Sequence, residues 1–333
     1  MIYFRKIGIY VPLRVLPFYL FWLLQVAVRE RTIRDFVRGV WSPTLFFRAP
    51  HNIDDALSVA RDLGLSNGWV RWETDGSRRQ VFDSSMRGVC KIQKEGAAFS
   101  VNDEVELRKK LGDLSPRILK SDASHMAYVE DWVNVSAPRT YSYDDLECIR
   151  LALVDQLYRI DEWDLVSFLN KSAVPFSREA RDVIPGLVRR MELKSLPVSK
   201  VHGDLVQANI SFTKEGRPIL YDWEYSRSCV VTHDVWFFLY QGLLGDGVRL
   251  ELSDFMREFE KIIDWIFPES VEPLALHLIH LYEREALLLW NNKIVESSQA
   301  LKKIGENIRE ARSLLSDECG VLGNINSEAR IER

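Results

Sequence analysis

Two short strings in the chain hold residue types that can do chemistry together. One runs Val201-His202-Gly203-Asp204-Leu205-Val206-Gln207-Ala208-Asn209-Ile210, the other Tyr221-Asp222-Trp223-Glu224. Asp204 and Asn209 are five residues apart on a loop that leads into a short apolar strand. Lys214-Glu215-Gly216-Arg217 has the composition of a tight turn, so the next apolar run returns beside the first and ends at Asp222. A hairpin of this kind predicts that Asp222 lies close to Asn209. Two carboxylates and one amide then offer only oxygen donors, a set that suits Mg²⁺, which keeps several waters and is completed by substrate phosphates. Phosphoryl transfer asks for such an arrangement, because its transition state needs charge neutralised and a nucleophile aligned. One carboxylate must face an acceptor hydroxyl, while the other carboxylate and the amide hold metal on nucleotide phosphates. Taken singly, each three-residue string reads as a surface turn or a strand end. The joint pattern H-G-D-x-x-x-x-N, hairpin, apolar-Asp-aromatic-Glu points to function.

The elements that must carry these residues follow from hydrophobic period and punctuation. Residues 31–66 read as helical, with loop signals at Pro43, Pro50 and Asn67-Gly68. Three strand-like runs come next, 69–73, 78–82 and 88–92, with a turn at Asp75-Gly76 between the first two. A helix is expected from Asn102 to Leu111, and a further strand in the run 126–133. From Tyr143 onward the pattern is mostly helical, as in DDLECIRLALVDQLYRI. The β interlude over 198–221 holds the strings above, and helices are expected over 250–266, 271–291 and 297–316. The tail is polar.

Composition bounds the answer. A chain of 333 residues, 47% hydrophobic, 28% charged and 11% aromatic, has the make-up of a globular protein of about two domains. Its 44 basic and 48 acidic residues leave a net charge of −4, so no global basic field recruits nucleic acid. Cys90, Cys148, Cys229 and Cys319 are far apart and form no C-x-x-C pair, which suits reduced thiols in a cytoplasmic protein. The stretch 15–28, VLPFYLFWLLQVAV, is almost wholly apolar and flanked by basic residues, giving a charge of +5 over the first 40 positions. It falls short of the roughly 18 uninterrupted apolar residues that a spanning helix needs. It reads as a helix packed on the protein's own surface or, alternatively, as a peripheral membrane contact at the inner face of a membrane.

The string HGDLVQANI…LYDWE resembles the catalytic segment of the aminoglycoside phosphotransferase and choline kinase superfamily, which has the protein-kinase-like fold. The resemblance implies an α+β bilobal architecture, with a small antiparallel-sheet N-lobe and a mostly helical C-lobe. It implies ATP and Mg²⁺ as cofactors and a small-molecule hydroxyl acceptor. Asp204 takes the place of the catalytic base, Asn209 and Asp222 those of the Mg²⁺ ligands, and His202 that of a scaffold residue. Asp234, in THDVWFFL, is similar to a buried aspartate that hydrogen-bonds the catalytic loop from a helix N-terminus. A phosphate-gripping lysine belongs on the third strand. Alternation puts Val89 and Lys91 on one face and Cys90, Ile92 and Lys94 on the other, which favours Lys91. Its ion-pair partner is expected from the following helix at Glu104, with Glu106 as the rival. Gly76 and Ser77, in the turn between the first two strands, are placed to offer N–H groups to phosphates. Backbone groups near Val129 and Asp131 are expected at the hinge, facing adenine. On the long C-terminal helix Glu283 and Glu285 would attract an amine-bearing acceptor unless they are simply surface residues, and His277 and His280 read as packing.

The expected divisions are 1–66 as a helical extension, 67–133 as a nucleotide-binding lobe ending in the hinge, 134–316 as the lobe with catalytic loop and acceptor site, and 317–333 as a flexible tail. The leading expectation is an ATP- and Mg²⁺-dependent kinase acting on a sugar, amino alcohol or aminoglycoside. A nucleotide-binding pseudokinase or scaffold is the alternative. A protein kinase is disfavoured, because the stretch from Asp222 to Asp234 is too short for an activation loop and no glycine follows the aromatic of Asp-Trp-Glu.

Overall fold

The computed structural model describes residues 2–4, 9–11, 14, 16–17, 19–21, 43–45, 51–65, 68–72, 78–83, 85, 87–93, 100–131, 161–172, 174–206, 209–213, 215–244, 252–267, 271–290 and 297–319. The chain divides into two units, one of residues 1–156 and 207–225, the other of residues 157–206 and 226–333.

The first unit is built on an antiparallel sheet. Its strands are β1 (Ile2–Phe4), β2 (Ile9–Val11), β3 (Pro43–Leu45), β4 (Gly68–Trp72), β5 (Arg78–Asp83), β6 (Gly88–Gln93), β7 (Ile118–Asp122) and β8 (Ala127–Asp131), in the order β3-β1-β2-β4-β5-β6-β8-β7. Helix α1 (His51–Asp62) covers one face. There Ile53, Ala56 and Ala60 meet Val70, Val81, Cys90, Ile92, Ala127 and Val129, the inward residues of a period-two pattern. Helix α2 (Val101–Leu111) covers the other, with Val101 and Val105 on Tyr128. Ser100 caps α2 by accepting the Asn102 N–H, acidic residues fill its first turn, and Gly112 follows its end at φ +53°. A Cβ on Gly68 would collide with the Phe82 carbonyl, so the close pairing of β4 with β5 requires glycine there. A two-stranded hairpin, β11 (Ile210–Phe212) and β12 (Pro218–Leu220), also belongs to this unit.

The N-terminal stretch departs from the expected helical extension. Among the described residues of this stretch the longest helix is 51–62, and β1, β2 and β3 add to the sheet through the pairing of Ile9 and Tyr10 with Arg71 and Val70. Ile-Tyr-Phe and Ile-Tyr-Val are β-branched and aromatic triplets that fit a sheet edge, but three residues are too few to show a period. Of the apolar run 15–28, only 16–17 and 19–21 are described. Tyr19 is buried, its ring edge-on to Trp69 at 5.6 Å, while Phe21 is exposed. Among the described residues no helix is long and apolar enough to cross a membrane.

The second unit holds a three-stranded antiparallel sheet, β13-β10-β9, of β9 (Asp161–Trp163), β10 (Leu196–Val201) and β13 (Arg227–Val230). Its described helices are α3 (Leu165–Lys171), α4 (Arg178–Arg190), α5 (His233–Leu244), α6 (Leu252–Ile266), α7 (Pro273–Trp290) and α8 (Ser297–Cys319). Asp164 and Ser177 cap α3 and α4 by accepting N–H groups of Ser167 and Ala180. From Leu274 to Glu283 α7 is buried on every side, which its apolar sequence permits. Trp236 stacks on Tyr240 at 4.8 Å, and Phe255 on Phe259 at 5.8 Å. The last three helices fall where their periodicity put them, whereas the helix expected over 144–160 lies outside the described residues. A sheet unit with two helices and a mostly helical unit together make the α+β class expected.

Candidate active site

In the first unit the charged residues gather on the face of the sheet opposite α1. Lys91, in β6, is buried, and its Nζ lies 3.3 Å from Glu130 Oε1 and 3.5 Å from Asp222 Oδ1. Alternation explains the first contact: Lys91 is directly opposite Tyr128 on β8, and Glu130 is two residues on, so all three share a face. Burial alone would depress the Lys91 ammonium, but Glu130, Tyr128, Asp222 and Glu104 together push its pKa well above the ordinary lysine value. The lysine is therefore charged while enclosed.

Glu104 is not the direct partner expected for it. The Glu104 carboxylate accepts the Tyr128 hydroxyl at 2.6 Å and lies 3.5 Å from Arg108 Nη1, one turn along α2. Arg108 also donates to Glu130 Oε2 at 2.6 Å. The order is thus Lys91, Glu130, Arg108, Glu104, and Glu104 acts on the lysine only through its field. Glu106 is exposed and paired with Lys109 at 2.6 Å. Sequence reasoning missed Glu130, although Tyr-Val-Glu on a strand already put Tyr128 and Glu130 on the lysine side.

The hairpin sets the other two oxygen-bearing residues. Tyr221 N–H donates to the Asn209 carbonyl at 2.8 Å, one step beyond the Ile210–Leu220 pair, so Asn209 and Asp222 lie at the same open end. Asp222 leaves β12 in the left-handed region, φ +59°, which aspartate tolerates better than most residues. Its side chain is 35% accessible, with one oxygen on the lysine. An amide and a carboxylate at one hairpin end are hard oxygen donors and fit Mg²⁺.

The residues expected at the hinge lie on β8. Val129 is in mid-strand, paired with Cys90 on one side and Lys120 on the other, and its side chain belongs to the core beneath α1. Asp131 donates its N–H to the Arg117 carbonyl at 2.9 Å, and its carboxylate holds the Arg117 side chain at 3.2 Å. β8 is an interior strand, between β6 and β7. Gly76 and Ser77 lie outside the described residues.

In the second unit the candidate catalytic loop is held from behind. After β10 the chain turns through Gly203 at φ +83°, a conformation that favours glycine. Asp234, in the first turn of α5, accepts the His202 N–H at 2.7 Å and the Gly203 N–H at 2.9 Å. Arg227 Nη1 donates to the Gly203 carbonyl at 3.2 Å. His202 is fully buried, and its Nδ1 accepts the Asp204 N–H at 3.3 Å, which makes it a brace for the loop. Asp204 is thereby turned outward and lies 3.5 Å from Arg284 Nη1 on α7.

A buried network underlies this loop. Glu283 of α7 accepts from the Val230 N–H at 3.0 Å, His233 Nδ1 at 2.9 Å and His280 Nδ1 at 2.7 Å. His233 Nε2 in turn faces Arg227 Nη2 at 3.1 Å, and His280 Nε2 faces the Thr232 hydroxyl at 2.8 Å. Burial depresses His233 to about 4, so it is neutral at pH 7 and donates to the carboxylate as an imidazole. For Glu283, burial works upward but is outweighed by the bonds from His233 and His280, and its pKa ends well below the usual carboxylate range. Cys229 Sγ lies within 4.8 Å of ligand atoms of His233 and Glu283, but those atoms already bond to one another, so the cluster reads as a support. His277 accepts Trp236 Nε1–H at 2.9 Å, as packing. The acids expected to attract an amine are therefore otherwise engaged: Glu283 is internal, and Glu285 accepts the Ser177 hydroxyl at 2.8 Å.

This network makes stability fall on the acid side. An unfolded histidine takes a proton near 6.5, but folded His233 does so near 4 and His277 near 3, both through burial. Below 6.5 the unfolded chain binds more protons, so stability present above that pH is lost as pH drops toward 4. The His233 difference is worth on the order of 3 kcal/mol by pH 4. Melting temperature measured from pH 7.5 to 4.5 should fall steadily below pH 6.5, and a flat profile between 7 and 5 would contradict the neutral buried imidazoles.

The fold is similar to that of solved small-molecule kinases. The chain is similar to the choline kinase LicA from Streptococcus pneumoniae, with 13% identity and a TM-score of 0.52 over 78% of this chain and 100% of that one. The same enzyme in complex with AMP matches equally well. A microcompartment-associated aminopropanol kinase matches with 15% identity and a TM-score of 0.51, over 80% of this chain and 98% of that one. At such identities the likeness is one of fold. No family model matches the sequence, and no curated protein does.

Proposed function

We propose that this protein is an ATP- and Mg²⁺-dependent phosphotransferase acting on a hydroxyl group of a small molecule. The observation that carries the reading is Lys91, buried and charged, joined to Glu130 and to Asp222 at the hairpin end that also bears Asn209. A buried ammonium beside oxygen donors is what nucleotide phosphates require. Lys91 grips the phosphates, and Asn209 and Asp222 hold Mg²⁺, which neutralises phosphate charge when bound. Asp204, on a loop braced by Asp234, Arg227 and His202, takes the acceptor proton. The acceptor oxygen forms a bond to the γ-phosphorus as the bond to the β,γ-bridging oxygen breaks. ADP leaves with that electron pair, and the hydroxyl proton passes to the Asp204 carboxylate and then to water. The AMP complex of LicA supports a nucleotide site in this fold. The buried free thiols Cys90 and Cys229 suit the reducing cytoplasm, and burial pushes Cys90 up to about 12.

The test is ligand-linked stability. Saturating Mg·ATP should raise the melting temperature of the wild type, and Asp222→Ala should lose most of that shift, measured against its own ligand-free melting temperature. An Asp222→Ala protein with the full Mg·ATP shift would remove Asp222 as a ligand.

A further inference from the structure

The sharing of Lys91 between two carboxylates bears on how a metal is held, given the phosphotransferase reading above. We propose that Glu130 is a positioning residue for the divalent ion: it anchors Lys91 against β8 and so leaves Asp222 to the metal. Lys91 Nζ stands 3.3 Å from Glu130 Oε1 and 3.5 Å from Asp222 Oδ1, so the two acids draw on one ammonium. The lysine and Glu130 side chains are 6% and 8% accessible, whereas that of Asp222 is 35% accessible. Attraction to Glu130 therefore acts in less water and is screened less than attraction to Asp222. Glu130 in turn cannot swing away. Its other oxygen accepts from Arg108 Nη1 at 2.6 Å, and Arg108 is tied to Glu104, to the Ser115 hydroxyl at 3.4 Å and to the Pro116 carbonyl.

Lys91, Arg108, Glu104 and Glu130 are two cations and two anions, all buried, and they balance among themselves. Asp222 adds one negative charge at the open end of the hairpin, which a metal ion can use. Without the Glu130 charge, Lys91 is a buried ammonium with Asp222 as its carboxylate in contact, and it closes on that group because an unpaired charge there is costly. Mg²⁺ must then displace an ammonium before Asp222 can serve it. Glu104 does not share this role, since its carboxylate is bonded to the Tyr128 hydroxyl and to Arg108 and not to the lysine.

The full-length protein is titrated calorimetrically with AMP-PNP at a series of Mg²⁺ concentrations, which gives the Mg²⁺ level that brings nucleotide affinity halfway to its limit. Glu130→Gln should raise that level by roughly tenfold or more. Glu104→Gln should leave it near the wild-type value, although both variants lose a buried charge and both should melt lower. Loss of stability alone would move the two alike, so the Mg²⁺ level separates positioning from support. Glu130→Asp, which keeps the charge on an arm one methylene shorter, should raise the level by less than Glu130→Gln does. A wild-type Mg²⁺ level in Glu130→Gln overturns the proposal, as does the same result in Glu130→Asp where the glutamine variant does not fold. A Glu104→Gln variant that raises the level as much as Glu130→Gln also overturns it. A wild type that binds AMP-PNP at no Mg²⁺ concentration refutes the phosphotransferase reading itself, and the role of Glu130 falls with it.

Discussion

Asp204→Asn should lower kcat by about 10²- to 10⁴-fold, while stabilisation by Mg·ATP stays close to that of the wild type. The amide keeps the size of the side chain and an oxygen toward Arg284 at the position now 3.5 Å away, but it cannot accept the acceptor proton. The loop itself should not move, because its shape depends on other groups. The His202 and Gly203 N–H groups are held by Asp234, and the Gly203 carbonyl by Arg227. On the proposed reading nucleotide affinity rests on Lys91, Asn209 and Asp222, none of which is altered. The defect should thus appear in turnover with any acceptor that the wild type uses. Undiminished turnover in Asp204→Asn would remove the base from the mechanism.

The largest loss of stability is expected at Glu283. Glu283→Leu should destabilise the protein by about 3–5 kcal/mol, read as a lower denaturation midpoint in urea. Three buried donors, the Val230 N–H, His233 Nδ1 and His280 Nδ1, would lose their acceptor where no water replaces it. The same change should lower kcat, because His233 opens α5 beside Asp234 and Asp234 holds the loop proposed to be catalytic. Glu285→Gln on the same helix is the control. That side chain is half-buried and meets the Ser177 hydroxyl, which an amide still reaches, so a change within about 0.5 kcal/mol is expected. Equal midpoints for Glu283→Leu and the wild type would show that the network does not hold this region together.

Several parts of this site were legible in the sequence because they depend on short-range geometry. A tight turn between two apolar runs sets which residues stand at the end of the hairpin, so Asn209 and Asp222 could be paired from their spacing. Alternation along one strand was enough to separate Lys91 from Cys90 and Ile92, and the structure has Cys90 and Ile92 in the α1 core. An aspartate opening the helix after the hairpin was expected to hold the loop, and Asp234 does so.

Other parts were hidden for definite reasons. Glu104 and Glu130 are both near enough to affect Lys91, and choosing between them depends on Arg108, which draws Glu104 away from contact and bridges to Glu130. The polar end of β8 looked like the start of a linker. It became an interior strand only because β7, whose exposed residues gave little period, pairs on its far side. The first strands escaped notice because three-residue segments carry no measurable alternation.

By itself the sequence determined which residues stand at the hairpin end, which face of its strand Lys91 takes and much of the succession of sheet and helices, since turns, alternation and helical period act over a few residues. Only the tertiary structure decided which carboxylate meets Lys91, that Glu283 is an internal support and that Arg284 stands beside Asp204. Those outcomes come from competition among charges far apart in the chain, settled by which of them burial strips of water and which it leaves exposed.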